Sequence, residues 1–299
     1  MNKVEDHHGR ESIMPNDLIK QMEEGMPSFS KGQRQIANYI IAHYEKAAYM
    51  TASRLGEATG VSESTVVRFA IELGFEGYPE FQRAMQAIIR NRLTSFQRIE
   101  VTNHLIGDGD VLDKILYADA EKIKQTAEHI DREAFDRAVD ALIAARNIYI
   151  LGVRSSASLA DFLGAGLLRV SDNVKLIRST SGSEVFEQML DIGERDVLIA
   201  ISFPRYSKRV VTAVEFAHKA GANVVALTDS AHSPIAPLSD QLLLAQSDVA
   251  AFVDSLVAPL SIINALLVAI SRKKQGELTE RLHRLEHIWD EYEVYDKSR

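Results

Sequence analysis

Met50 to Phe75 reads MTASRLGEATGVSESTVVRFAIELGF. Its pattern predicts two short helices joined by a tight turn. Thr51 is a candidate N-cap, because its hydroxyl can accept a bond from an amide of the first helical turn. Leu55 and Ala58 give the first helix a small apolar face. Gly56 permits close helix packing at about 1 kcal/mol of helix propensity. Gly60 breaks the pattern, as a residue able to take positive φ does at a turn. Ser62 is a second candidate N-cap. Val66, Phe69, Ala70 and Leu73 then recur at helical spacing as one buried stripe. Ser64, Thr65 and Arg68 are left on the opposite face, near the helix start. In a helix-turn-helix the start of the second helix enters the DNA major groove, and arginine can pair with the acceptor edge of guanine. Ser62, Ser64, Thr65 and Arg68 are therefore the candidate DNA-binding residues. A purely structural helical hairpin is the competing reading.

Charge is distributed accordingly. The 299-residue chain has a net charge of −8. Between Pro27 and Ile99 nine cations face six acids, a surplus of three that leaves −11 on the remainder. A mildly basic head on an acidic body suits a DNA-binding module joined to a domain of another kind. The surplus is too small for a DNA-packaging protein, which needs many phosphate contacts. The chain has no cysteine, which excludes disulfides and thiolate metal sites and fits a reducing compartment. The start, MNKVEDHHGRES, lacks the apolar core of a signal peptide, and His7 and His8 have no third metal ligand nearby. The most apolar stretch, Ser255 to Ile270, is short for a membrane span and contains Asn264. A cytoplasmic protein without membrane association, metal or cofactor is expected.

The order of elements predicts a flexible tail over 1–26 and the helix-turn-helix head over 27–100, with Ser30 to Tyr44 as its supporting helix. A linker helix is expected within 101–130. From Asn147 on, apolar strands alternate with helices: NIYILGV, Val174–Ile177, DVLIAISF, Ala222–Thr228 and Gln241–Leu244. The fold class is α/β, an all-α helix-turn-helix head followed by a doubly wound parallel sheet over 131–275. A tail helix is expected within 276–299.

Ligands of such sheets bind outside the carboxyl ends of the strands. Three of those ends carry hydroxyls and cations: Gly152-Val153-Arg154-Ser155-Ser156, Ser179-Thr180-Ser181, and Ser202-Phe203-Pro204-Arg205-Tyr206-Ser207-Lys208. Serine hydroxyls and free amides at helix starts suit phosphate or carboxylate. Serines that only cap their helices are the competing reading. Ser155, Ser156, Thr180, Ser181, Ser202, Arg205 and Ser207 are the candidate effector-binding residues. Arg205 is singled out because arginine grips an anion with two parallel bonds.

The run Val66-Val67-Arg68-Phe69, then Leu73-Gly74-Phe75-Glu76-Gly77-Tyr78, resembles the helix-turn-helix of the RpiR (MurR/RpiR) family of bacterial transcriptional regulators. The later part, with Gly152, Ser155-Ser156, Ser202…Ser207, Thr228-Asp229-Ser230 and Ser233-Pro234, resembles that family's sugar isomerase (SIS) domain. The resemblance covers about Pro27 to Trp289. It implies a homodimer or homotetramer that binds double-stranded DNA at a near-palindromic operator and controls carbohydrate catabolism genes. It also implies a phosphosugar or related anionic effector held by Ser155, Ser156, Ser202 and Ser207. The family's second loop usually reads Ser-x-Ser-Gly-x-Thr. Pro204 and Arg205 replace its inner Ser and Gly, and Ser207 its Thr, which points toward a sugar acid or its phosphate. The alternative function is a phosphosugar isomerase or lyase on the same fold, with Glu184 or His232 as its base. For the oligomer, the apolar helix Phe252 to Ser271 and the tail helix with Leu278, Leu282, Leu285 and Trp289 are the expected contact surfaces.

Overall fold

A computed structural model describes residues 15–90, 99, 110–178, 182–247 and 254–295. The chain divides into two compact units, Met1–Leu105 and Ile106–Arg299. Among the described residues no helix is long and apolar enough to cross a membrane.

The first unit is all helical: α1 (Pro15–Gly25), α2 (Lys31–Ala42), α3 (Tyr44–Ala47), α4 (Ala52–Thr59), α5 (Glu63–Glu72) and α6 (Tyr78–Arg90). Phe69 of α5 is fully buried and packs edge-on against Phe29 and Phe81, with ring centroids 5.3 and 6.0 Å away. Val66, Ala70 and Leu73 complete the expected stripe. The Tyr78 hydroxyl donates to Met50 O at 2.7 Å, and burial pushes its phenol pKa up. Two expectations change here. Residues 15–25 are no loose tail: Leu18 and Met22, one helical turn apart, are buried in this core, and Gln21 Nε2 donates to Leu73 O. The stripe is short and lies among polar residues, which hides its periodicity. Ala58 is exposed, and the buried face of α4 is Ala52, Leu55, Gly56 and Thr59.

The second unit opens with α7 (Val111–His129) and α8 (Arg132–Ala144). There follow β1 (Ile148–Gly152), α9 (Ser155–Leu168), β2 (Val174–Leu176), α10 (Gly182–Gln188), β3 (Val197–Ile201), α11 (Lys208–Lys219), β4 (Asn223–Thr228), β5 (Gln241–Leu244), α12 (Val257–Lys273) and α13 (Gln275–Glu291). The five strands are all parallel in the order β2-β1-β3-β4-β5. Period-2 alternation divides the core between two faces. Ile148 and Ile150 pack with Leu142, Leu163 and Ile262 of α8, α9 and α12. Tyr149 and Leu151 pack with Met189, Val210 and Val214 on the α10 and α11 side. The sheet is thus doubly wound.

The helix expected as a linker, α7, is part of this second unit. Its Thr126 Oγ1 accepts from Gln246 N at 2.9 Å, and its Asp119 accepts from Ser255 Oγ at 2.7 Å. The apolar helix α12 covers the sheet with Ala258, Ile262, Ile263, Leu266 and Ile270 buried, and Val268 on its outer face is exposed. The tail helix α13 docks through Arg281, which pairs with Asp172 and donates to Leu168 O.

Candidate functional sites

In the first unit, the turn between α4 and α5 is built as the sequence demands. Thr51 accepts from Arg54 N, and Gly60 takes a φ of 70°. A Cβ on Gly56 would lie 2.8 Å from Val61 O, so the missing side chain lets the turn fold back onto α4. Ser62 occupies the N-cap position of α5, but its hydroxyl bonds no amide. It bonds instead to the hydroxyls of Ser64 (2.9 Å) and Thr65 (2.8 Å). These three hydroxyls form one polar cluster at the exposed start of α5. Arg68, one turn on, is exposed, and its Nε donates to Ser64 O at 3.2 Å. All four sequence candidates therefore share one face, which presents hydroxyls, uncapped helix-start amides and a guanidinium.

In the second unit, a cleft of about 490 Å³ opens at the carboxyl ends of β1 and β2. Its cations are Arg154 after β1, Arg178 after β2, and Lys208 and Arg209 at the start of α11. Asp161 of α9 is the one acid among the described lining residues and pairs with Arg178 at 2.8 Å. The helices that open on the cleft, α9 and α11, start at Arg154 and Ser207 without a side-chain cap. By contrast Ser30, Thr51, Asp110 and Asp131 each cap their helices. Helix starts without a side-chain cap and four cations on one concavity attract anions.

The structure sorts the effector-binding candidates. Ser207 lines the cleft, and its hydroxyl makes no cap bond, contrary to the capping reading. Ser155 is exposed at the start of α9, and Ser156 and Ser202 are buried; none of the three lines the cleft. Ser156 instead sits against Gly152: a Cβ there would overlap Ser156 O and lie 2.9 Å from Ser156 C. Ser202 N–H donates to Leu227 O, so it secures the end of β3. Arg205 is exposed and outside the lining. Its neighbour Tyr206 fastens the loop by donating to Asp229 Oδ1 at 2.7 Å. Thr180 and Ser181 lie outside the described residues. Arg178 was missed, although it stands two residues beyond β2, where the strand-end rule points. Gln188 holds its backbone from both sides, accepting from Arg178 N (3.1 Å) and donating to Arg178 O (2.8 Å).

Both loop arginines hold left-handed backbone: Arg154 has φ 58°, ψ −127°, and Arg205 has φ 52°. Position 205, where the resembling family usually has glycine, thus holds a glycine-favouring conformation while carrying a cation. Such backbone costs about 1–3 kcal/mol for a residue with a Cβ. Arg154→Gly is therefore expected to raise stability by about 1 kcal/mol, after the entropy glycine adds to the unfolded chain. It should also weaken anion binding about tenfold or more, for loss of a charge-assisted bond. Denaturant melts and calorimetry on the same variant check both signs. A variant that is less stable, or that binds as tightly, contradicts the account.

The helix-turn-helix domain model of the rpiR family matches residues 16–91, and the SIS domain model matches residues 141–269. The HTH-type transcriptional regulator HexR of Pseudomonas aeruginosa is 25% identical over 274 residues, spanning 90% of this chain and 94% of HexR. Among solved structures, NanR of Vibrio vulnificus, complexed with ManNAc-6P, is 24% identical. It covers 92% of this chain and 98% of its own, with a TM-score of 0.57. The sugar isomerase domain of an RpiR transcription factor from Sphaerobacter thermophilus is 26% identical over 59% of this chain and 98% of its own, also with a TM-score of 0.57. With its rpiR-type head and its SIS domain in that order, the chain belongs to the RpiR family of transcriptional regulators.

Proposed function

We propose that this regulator controls carbohydrate catabolism genes from the cytoplasm, and that an anionic sugar derivative in the SIS cleft sets its operator affinity. The observation that carries the effector reading is the cleft itself, with a net surplus of three positive charges among its described lining residues and two helix starts without a side-chain cap. The NanR complex with ManNAc-6P supports a sugar phosphate. The density of cations favours a ligand with a second negative group, a sugar acid or its phosphate. Arg154, Lys208 and Arg209 take the gripping role expected of Arg205. An isomerase needs a base beside the sugar. Neither Glu184 nor His232 lines the cleft, and Asp161 is engaged by Arg178. Gel shifts with a panel of sugar phosphates and sugar acids, run beside a turnover assay, test the reading. Turnover of a sugar phosphate without any effect on operator binding would replace the regulator by an enzyme.

On DNA, Ser62, Ser64, Thr65 and Arg68 are proposed to enter the major groove, with two copies reading a near-palindromic site. A single helix-turn-helix offers few base contacts, and pairing two supplies specificity. Arg68→Ala is expected to weaken operator binding by about 1–3 kcal/mol and to relax specificity at one base pair per half-site. Its one described hydrogen bond runs to its own helix, so thermal stability should hold. Unchanged affinity together with a lower melting temperature would make Arg68 a brace of the fold.

A further inference from the structure

Helix α7 is built inside out. Of its 19 residues only Lys122 and Thr126 are buried, and both are polar. Lys122 Nζ pairs with Asp119 at 3.2 Å, so the inner face is a hydrogen-bonded polar seam. Five large apolar side chains are exposed, Leu112 at 66%, Leu116 at 58% and Tyr117 at 76% with Val111 and Ile123, while Ile115 is half-buried. Leu112, Leu116, Ala120, Ile123, Ala127 and Ile130 follow one another at three- and four-residue steps, so they form one stripe.

The two ends of the stripe differ in shape. Leu112 and Leu116 stand out as a ridge. At the other end Ile123, Ala127 and Ile130 form one wall of a groove of about 330 Å³, closed by Phe135 of α8 and by Ala258 and Ile262 of α12. Ridge and groove on one continuous stripe are self-complementary about a two-fold axis, which an isologous dimer requires.

We infer that α7 is the two-fold contact between copies of this chain. Two α7 helices cross antiparallel near Ala120 and Ile123, and the Leu112–Leu116 ridge of each copy enters the groove of the other. Charge agrees with this direction. The ridge end carries Asp113 and Lys114, and the groove end carries Arg132 and Asp136 among its lining residues. Antiparallel packing sets Asp113, beside the ridge, toward Arg132; Lys114 lies on the far side of the helix, away from the contact. The area agrees too. Leu112, Leu116 and Ile123, with the exposed alanines of the stripe and the groove walls, give on the order of 1,000 Å² over both copies, the lower bound of a specific interface. The inference rests on the two-fold assembly proposed above and replaces α12 and α13 as its surface.

Sedimentation equilibrium of the full chain at micromolar concentration tests both statements separately. The wild type should be a dimer or a dimer of dimers. Leu116→Glu should halve that mass and keep the wild-type circular dichroism, because Leu116 is exposed within one copy. Val268→Glu, on the outer face of α12 and 60% exposed, should leave the mass unchanged. A monomeric wild type would end the two-fold reading altogether. An unchanged mass for Leu116→Glu, or dissociation by Val268→Glu alone, would overturn only the α7 assignment. The chain has no cysteine, so an introduced one reports cleanly. Ala120→Cys, beside the axis, should join two copies with a short bismaleimide. Leu112→Cys should not, since its symmetry mates would lie about 27 Å apart along the helices at 1.5 Å per residue. Linking at 112, or at neither position, would refute the antiparallel crossing even if Leu116→Glu failed to fold.

Discussion

Arg146→Ala will destabilise the second unit, because it leaves the buried Asp196 carboxylate without its guanidinium. Asp196, at the start of β3, has a fully buried side chain. Arg146 meets it with two bonds, Nε to Oδ1 at 2.9 Å and Nη2 to Oδ2 at 2.5 Å. Asn147 Nδ2 and Gly193 N donate as well, each at 2.9 Å. Without the guanidinium a carboxylate would stay buried with half its partners gone. Arg146 itself is 43% exposed, so water can enter and soften the loss. The melting point should fall clearly below that of the wild type.

The same carboxylate makes stability depend on pH. Burial alone would raise its pKa, but the bonds from Arg146, Asn147 and Gly193 outweigh burial and hold it at about 2. A folded pKa below the unfolded value of 3.8 stabilises above pH 4 and is lost as pH falls toward 2. That contribution is roughly 2 kcal/mol. Melting curves between pH 6 and 2 should steepen in that window for the wild type and flatten there for Asp196→Asn. Equal acid sensitivity of the two proteins would contradict the assignment. The pair lies at the amino ends of β1 and β3, across the sheet from the cleft, so effector affinity at neutral pH should not follow it.

The pair also shows what a sequence hides. Arg146 and Asp196 are 50 residues apart, and nothing local marks either as half of a contact. The parallel strands were legible because burial on both faces makes them continuous apolar runs, as in Ile148–Gly152 and Val197–Ile201. Helix α5 was legible because its Val66–Phe69–Leu73 stripe is unbroken. Helix α1 was not, since two buried residues among polar ones set no clear period. At the cleft, the strand-end rule located the loops but not the directions of their side chains. Hydroxyls at 155, 156 and 202 serve exposed or buried positions of the fold, while Arg178, Lys208 and Arg209 line the wall. Those directions follow from backbone such as the left-handed Arg154 and Arg205, which residue type alone does not announce.

The largest functional effect is expected from Lys208→Glu. Lys208 is the first residue of α11, exposed, and part of the cleft wall beside Ser207 and Arg209. A bound anion would meet its ammonium together with the uncapped amides of the helix start. Removing a charge-assisted bond loses about 1.5–3 kcal/mol, and a carboxylate in its place adds repulsion. Together these weaken the effector by 100-fold or more, at about 1.4 kcal/mol per tenfold. Stability should not suffer, because a negative charge at a helix start is favourable by about 0.3–1 kcal/mol. Operator affinity without effector should stay at the wild-type value, so the variant should hold the operator and ignore the signal. Calorimetry with inorganic phosphate, glucose 6-phosphate and 6-phosphogluconate, followed by gel shifts with whichever binds, measures both halves. Arg205→Ala is the paired control: standing outside the lining, it should change effector affinity by no more than about threefold, as surface substitutions do. If Arg205→Ala abolishes effector binding and Lys208→Glu leaves it intact, the anion sits on the outer loop and not in the cleft.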